Sequence, residues 1–245
     1  MKKKSYTTIP SIDKMKVLLS LTLLFGISLG ALDKGNNLNI KLYSETNLRG
    51  ISKDIYSYEE DMQLIGFNNK AKSAIVNGIW LLYEETNFNR GKYNKMVSYT
   101  WGKNNKINNL GGINGKVSSI RYSGVEDLNA NTLNFYEGPG FMGIEQYVYK
   151  DAPKLKYDNF GKSIIISGCK PWTLYEKANF AGKRICVYPA SLTSPCKPGF
   201  FETPTAFGNF GNVVSSARLG CFSKSSFVAK PFIEGESKSI HLFDN

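Results

Sequence analysis

The 245-residue sequence has one histidine, His241, no C-x-x-C spacing, no N-x-S/T sequon and no apolar stretch long enough to span a bilayer. Each absence excludes something. With His241 as the sole imidazole, a Ser-His-Asp or Cys-His arrangement would have to be built on a residue close to the C-terminal end of the sequence. Zinc sites made from paired Cys and His are excluded on the same count. Without a sequon, N-glycosylation is not expected. The longest mostly apolar run, residues 17–29, has 13 residues, against the roughly 20 that a spanning helix needs. No run of five or six like charges marks a polyelectrolyte tail, and no basic stripe marks a nucleic-acid surface.

What is present points to a folded, exported β protein. Hydrophobic residues make up 42% of the chain and aromatics 13%, enough for packed cores. The 23 glycines and many asparagines suit a turn-rich chain better than a helical one. Lys14 and Lys16 precede the apolar run 17–29, and Ser28 and Gly30 stand at the offsets of a cleavage site before Ala31. Residues 1–30 therefore read as an N-terminal extension and signal peptide, and secretion without a membrane anchor is expected. Removing them takes away five Lys and one Asp and lowers the formal charge from +11 to +7. The four cysteines, Cys169, Cys186, Cys196 and Cys221, all lie in the second half. In an oxidising compartment they predict two disulfides. Of the three possible pairings, Cys186 with Cys196 and Cys169 with Cys221 is the one favoured here.

The decisive feature is internal repetition. An aromatic, a hydrophobic residue five positions later and a glycine two or three after that occur at Tyr43, Leu48, Gly50; at Tyr83, Phe88, Gly91; at Tyr136, Phe141, Gly143; and at Tyr175, Phe180, Gly182. Each is followed by a serine that opens an apolar strand: Ser73, Ser119, Ser163 and Ser216. The second and fourth copies share a tryptophan, W-L-L-Y-E-E-T-N-F over 80–88 and W-T-L-Y-E-K-A-N-F over 172–180, and end in S-x-R at Arg121 and Arg218. The first and third copies lack both. This ABAB order makes a pair of copies the repeating unit and places a boundary in the polar stretch 125–131.

Alternation such as N-I-K-L-Y reads as half-buried antiparallel strand. The glycine permits the positive φ of a folded-over hairpin, across which the aromatic can lie, and the serine can hydrogen-bond that hairpin's unpaired backbone. One four-strand unit has an uncovered apolar face, so two must pack as a sandwich. The Y-E-x-x-x-F-x-G signature, the later serine and the ABAB order resemble the βγ-crystallin superfamily over about residues 38–221. Leu48 in place of an aromatic and an extra residue before Gly91 are departures. The resemblance implies an all-β fold of two βγ-crystallin-like Greek-key β-sandwich domains, 38–124 and 132–221, leaving a C-terminal tail, 222–245, that matches no fifth copy.

The resemblance also implies calcium loops of pattern [ND]-[ND]-x-x-[ST]-S before each last strand, where hard oxygen ligands suit Ca²⁺. The four loops are 68–73, 114–119, 158–163 and 211–216. Lys72 and Lys162 take the hydroxyl position in the A-type copies, while Ser118 and Ser215 keep it in the B-type copies. If each ion draws on both loops of a pair, as the resemblance suggests, the intact sites are Asn69 with Ser118 and Asn159 with Ser215. Neutral ligands imply weak binding.

No catalytic constellation stands out. Gly161, Lys162 and Ser163 mimic the end of a phosphate loop, but residue 156 is Lys where Gly is required and a strand follows. Adjacent carboxylates such as Glu84 and Glu85 suit a solvated strand better than an acid/base pair. The expected function is thus a secreted, non-enzymatic structural or interaction protein with an unidentified extracellular partner. The alternative is a basic defence or toxin-like protein that binds anionic membranes or glycans.

Overall fold

The computed structural model of the chain describes residues 38–242, so the expected signal peptide lies outside the described residues. These residues are all-β, with fourteen strands, four short 3₁₀ turns and no α-helix. Strands β1 (Asn39–Glu45), β2 (Arg49–Ile55), β3 (Ser73–Tyr83), β4 (Met96–Ile107) and β5 (Ser119–Ser123) build the N-terminal half. The C-terminal half contains β6 (Thr132–Tyr136), β7 (Glu145–Val148), β8 (Ser163–Ser167), β9 (Trp172–Lys177), β10 (Ala181–Tyr188), β11 (Gly199–Phe201) and β12 (Ser216–Leu219). Two more strands, β13 (Ser226–Val228) and β14 (Ser237–His241), lie in the tail.

The folded hairpins take the form their residue types predict, four times over. Leu48, Phe88, Phe141 and Phe180 all adopt positive φ, from 57° to 62°, and Gly50, Gly91, Gly143 and Gly182 follow them in the same region. The serine of each copy then satisfies the hairpin at both ends. Ser73, Ser119, Ser163 and Ser216 accept through Oγ from the backbone N–H of Leu48, Phe88, Phe141 and Phe180, at 2.8 to 3.1 Å. They donate to the carbonyls of Glu45, Glu85, Gly138 and Lys177. In the three copies with phenylalanine, the tyrosine meets that ring edge-on at 5.6 to 5.7 Å.

The strands form three sheets. In the C-terminal half they run β11-β8-β6-β7 and β12-β9-β10-β13. In the N-terminal half the two corresponding layers are continuous through the long strands β3 and β4, because Ser73–Asn77 of β3 pairs with β1 and Ile79–Tyr83 pairs with β5. Gly78, at φ 94°, joins the two parts, and a β-carbon there would lie 2.2 Å from Leu38 Cδ1. The C-terminal half breaks the equivalent ribbons at residues 168–171 and 189–198. One apolar core gathers Ile40, Leu42, Val76 and Trp80 in the N-terminal half, and another gathers Phe135, Ile166, Trp172 and Leu174 in the C-terminal half. A third, largely aromatic core lies between them: Tyr83, Phe88, Tyr99 and Trp101 pack with Tyr136, Phe141 and Phe200.

All four cysteines are oxidised, but the expected pairing is wrong. The bridges are Cys169–Cys196 and Cys186–Cys221, with Cα separations of 5.1 and 5.3 Å. Cys186 and Cys196 flank a loop that looks local in sequence, yet β10 and β11 belong to different sheets, so Cys186 takes its partner from the β13 side and Cys196 from the β8 side. β11 instead pairs with β8, Gly199 opposite Ile166, and continuing that antiparallel register brings Cys196 opposite Cys169. Cys221 lies where the chain leaves β12 and crosses to β13, which runs parallel to β10 with Ser226 opposite Cys186.

The tail is ordered into strands. After β13, Phe232 packs against Tyr99 and accepts a hydrogen bond from Trp101 Nε1 at 3.2 Å. β14 then pairs antiparallel with β4, Ser237 opposite Thr100 and His241 opposite Met96. The C-terminal segment thereby returns to the N-terminal sheet and extends it. Among the described residues no helix is long and apolar enough to cross a membrane.

Candidate functional site

Each of the four loops precedes the last strand of its motif, and in all four the second residue is left-handed: Asn69 at φ 56°, Gly115 at 67°, Asn159 at 50° and Asn212 at 59°. Asn and Gly tolerate this region best, which accounts for the residue types there. The loops of each half run past one another. Asn69 N–H donates to Val117 and Gly115 N–H to Ala71 in the N-terminal half, at 2.9 and 2.8 Å. Phe160 N–H donates to Val214 and Asn212 N–H to Gly161 in the C-terminal half, at 3.3 and 3.2 Å. The C-terminal pair is held by longer bonds.

Of the residues singled out in the sequence, the structure brings Asn69 and Ser118 together, with Ser118 Oγ donating to Asn69 Oδ1 at 3.3 Å. It does not join Asn159 to Ser215 by a hydrogen bond. Ser215 Oγ donates to the Glu176 carbonyl at 2.8 Å, while the Asn159 amide donates to its neighbour Asp158 at 3.4 Å. The two lysines also differ. Lys72 reaches over the facing loop, its Cε 3.8 Å from where a β-carbon on Gly115 would sit. Lys162 instead places its ammonium 5.8 Å from the ring centroid of Tyr93.

Two further oxygens emerge only in three dimensions. Asn68 Oδ1 and Asn114 Oδ1, at the first position of the two N-terminal loops, are buried and accept no hydrogen bond. Asn114 is oriented by its own amide, which donates to Asn109 Oδ1 at 2.6 Å and leaves the carbonyl oxygen aimed away from that partner. Buried polar atoms are nearly always paired, and a side-chain carbonyl oxygen left unpaired is the type of neutral donor a hard cation takes. Their counterparts in the C-terminal half are Asp158, which is exposed, and Gly211, which has no side chain. The pattern N-N or N-G ahead of x-x-x-S was visible in the sequence. What it did not show was which of the two leading residues keeps its oxygen free.

With this geometry in hand, comparison with known proteins places the fold. Residues 39–122 match the family described as Beta/Gamma crystallin. The fold is that of the βγ-crystallin superfamily. Geodin, a beta-gamma crystallin from Geodia cydonium, superposes with a TM-score of 0.57 at 18% identity, over 75% of this chain and 99% of that one. A beta gamma crystallin from Ciona intestinalis is similar over 35% of this chain and 99% of its own, at 20% identity and a TM-score of 0.30. Protein S complexed with calcium is similar over 75% of this chain and 99% of its own, at 20% identity and a TM-score of 0.28. No curated protein matches the sequence. The family match ends at residue 122, before the half of this βγ-crystallin-like chain that carries both disulfides and the interrupted ribbons.

Proposed function

We propose that this protein is a secreted, non-enzymatic structural or interaction module of βγ-crystallin type that binds calcium weakly through the paired loops of its N-terminal half. The observation that carries the calcium reading is the buried, unpaired Asn68 Oδ1 next to the Asn69–Ser118 pair. Asn68, Asn69 and Ser118 would hold the ion together with backbone carbonyls, and all are neutral oxygen donors, so affinity is low. Lys72, lying over the second loop, adds a repelling charge. The C-terminal half contributes less, since Ser215 is engaged by Glu176 and Gly211 offers no ligand. The two disulfides support an extracellular location. A non-enzymatic role is supported by the single histidine, whose backbone is committed to β14, and by four cysteines all tied in bridges.

The test is the thermal melt of the full mature chain in calcium and in chelator. A ligand that binds only the folded state raises the melting temperature by mass action. Millimolar calcium should raise it, Asn68→Ala and Ser118→Ala should each remove the rise, and Lys72→Ser should enlarge it. A melt unchanged by calcium, or a rise that survives both alanine substitutions, refutes the assignment.

A further inference from the structure

Strand β7 is an edge strand whose pattern is inverted at its middle. Gln146 is 6% exposed, whereas Tyr147 beside it and Tyr149, just past the strand's end, are 61% and 64% exposed. Edge strands usually turn charge outward and bury apolar groups. Here the inversion cannot relax by a one-residue slip, because Gln146 is clamped on both sides. Its amide donates to the Tyr157 carbonyl at 3.0 Å and its oxygen accepts from Tyr157 N–H at 2.9 Å. Val148, between the tyrosines, packs inward on the C-terminal core. The tyrosines are therefore held in solvent by the fold.

They are not isolated. Tyr147 and Tyr149 line a pocket of about 370 Å³ together with Val125 and Leu219, and Val125 is itself exposed. Leu219 is tied through its N–H to Asp151, which also pairs with Arg218 at 3.1 Å, and the Arg218 guanidinium lies 4.5 Å from the ring centroid of the exposed Phe222. The result is an apolar, aromatic face with a basic border. Lys150 stands 5.9 Å from the Tyr149 ring centroid, and Lys154 and Lys156 are exposed on the loop that runs from it along β12. The acids near the patch are Asp151, engaged by Arg218, Glu145, engaged by Tyr58, and Glu126 and Asp127 next to Val125.

We propose that this face docks on an anionic lipid surface, with Tyr147 and Tyr149 seated at the headgroup level and Lys150, Lys154 and Lys156 paired with lipid phosphates and carboxylates. Tyrosine suits that position because its ring is apolar and its hydroxyl stays wet. Lysines at a negatively charged leaflet contribute through the surface potential, which salt screens. Together they combine apolar burial with charge, the two contributions that hold proteins at a membrane interface without spanning it. This docking is independent of the calcium loops.

The experiment is co-sedimentation of the full mature chain with phosphatidylcholine vesicles, with and without phosphatidylserine, in chelator so that calcium bridging plays no part. Binding is expected only with phosphatidylserine and is expected to fall as salt is raised. Tyr147→Ser with Tyr149→Ser should lower the partition coefficient about tenfold, and changing the three lysines to Gln should lower it about a hundredfold. Leu64→Ser, at an 84% exposed site in the N-terminal half, should leave it unchanged. Equal binding to both vesicle types, no binding, or loss with Leu64→Ser but not with the tyrosine pair overturns the proposal. So does retention on a neutral polysaccharide without vesicle binding, which would make the patch a glycan site.

Discussion

The guanidinium of Arg121, on the last strand of the N-terminal half, lies 4.7 Å from the ring centroid of Tyr136, on the first strand of the C-terminal half. Arg121 is fully buried, and its hydrogen bonds are spent across that boundary, Nη1 on the Gly143 carbonyl at 2.8 Å and Nη2 on the Phe141 carbonyl at 2.6 Å. Its Nε donates to Tyr83 at 2.9 Å. Arg218 occupies the same S-x-R position in the fourth copy but is exposed, pairing with Asp151 and lying beside Phe222. Arg121→Met should therefore cost about 3–5 kcal/mol, since it strands buried acceptors. Arg218→Met should cost less than about 1 kcal/mol. Urea unfolding of the two variants checks the contrast, and similar losses would contradict it.

Each hairpin serine holds one N–H and one carbonyl that have no strand partner. Ser119→Ala and Ser163→Ala should each destabilise by about 1–3 kcal/mol, the cost of leaving buried backbone groups unpaired. Because the two hairpins touch, Gly143 N–H donating to the Phe88 carbonyl at 2.9 Å, the double variant should depart measurably from the sum. Denaturant midpoints at constant slope read this directly.

Of the tyrosines whose hydroxyl pKa is raised above the ordinary 10.0, the four with the largest shifts are Tyr58, Tyr83, Tyr99 and Tyr136, in every case chiefly by burial. Carboxylates add to the shift, Glu145 beside Tyr58 and Glu202 beside Tyr99. The unfolded chain loses these protons near pH 10 while the folded chain keeps them. Stability is thus fully present below pH 10 and falls as pH rises above it. Alkaline unfolding should be cooperative, with these four tyrosines ionising only as fluorescence reports loss of the fold. Tyr136→Phe should shallow the decline. Ionisation of all 14 tyrosines before any unfolding would contradict the burial pattern.

Peptide mapping of the unreduced protein should recover Cys169 with Cys196 and Cys186 with Cys221. Removing either bridge by paired Ala substitution should cost about 2–5 kcal/mol. Loss of Cys186–Cys221 should also expose residues 222–228 to limited proteolysis, because that bridge anchors the crossover into β13. Resistance of this segment in the variant would show that β13 holds without it.

The repeat was legible because its residues act locally. A positive φ at Phe88, a glycine three residues later and a serine that bonds both ends of one hairpin are decided within a single motif. Asn69 and Ser118 were legible for a related reason, since they belong to two loops that the fold of one half forces together. Pairings that depend on sheet neighbours were not. Cys196 meets Cys169 because β11 joins β8, a choice no spacing encodes, and Arg121 differs from Arg218 because of what lies across the boundary. The hydrogen bond of Ser215 is a smaller case: its hydroxyl donates to the Glu176 carbonyl, an acceptor the sequence does not mark. The unpaired Trp172 Nε1 is another, since its counterpart Trp80 reaches the Asn77 carbonyl within the continuous ribbon of β3, which the C-terminal half interrupts.

That β14 extends the sheet begun by β4 bears on the order in which the protein is made. Domains generally fold as they emerge during synthesis, yet residues 96–100 find their outer partner only when residues 237–241 have been translated. Until then the outer edge of β4 carries unsatisfied N–H and C=O groups, an open template for any other strand. Nascent chains at high density would meet one another at that edge, and the ribosome-bound intermediate, more than the finished molecule, is the form that has most need of a chaperone.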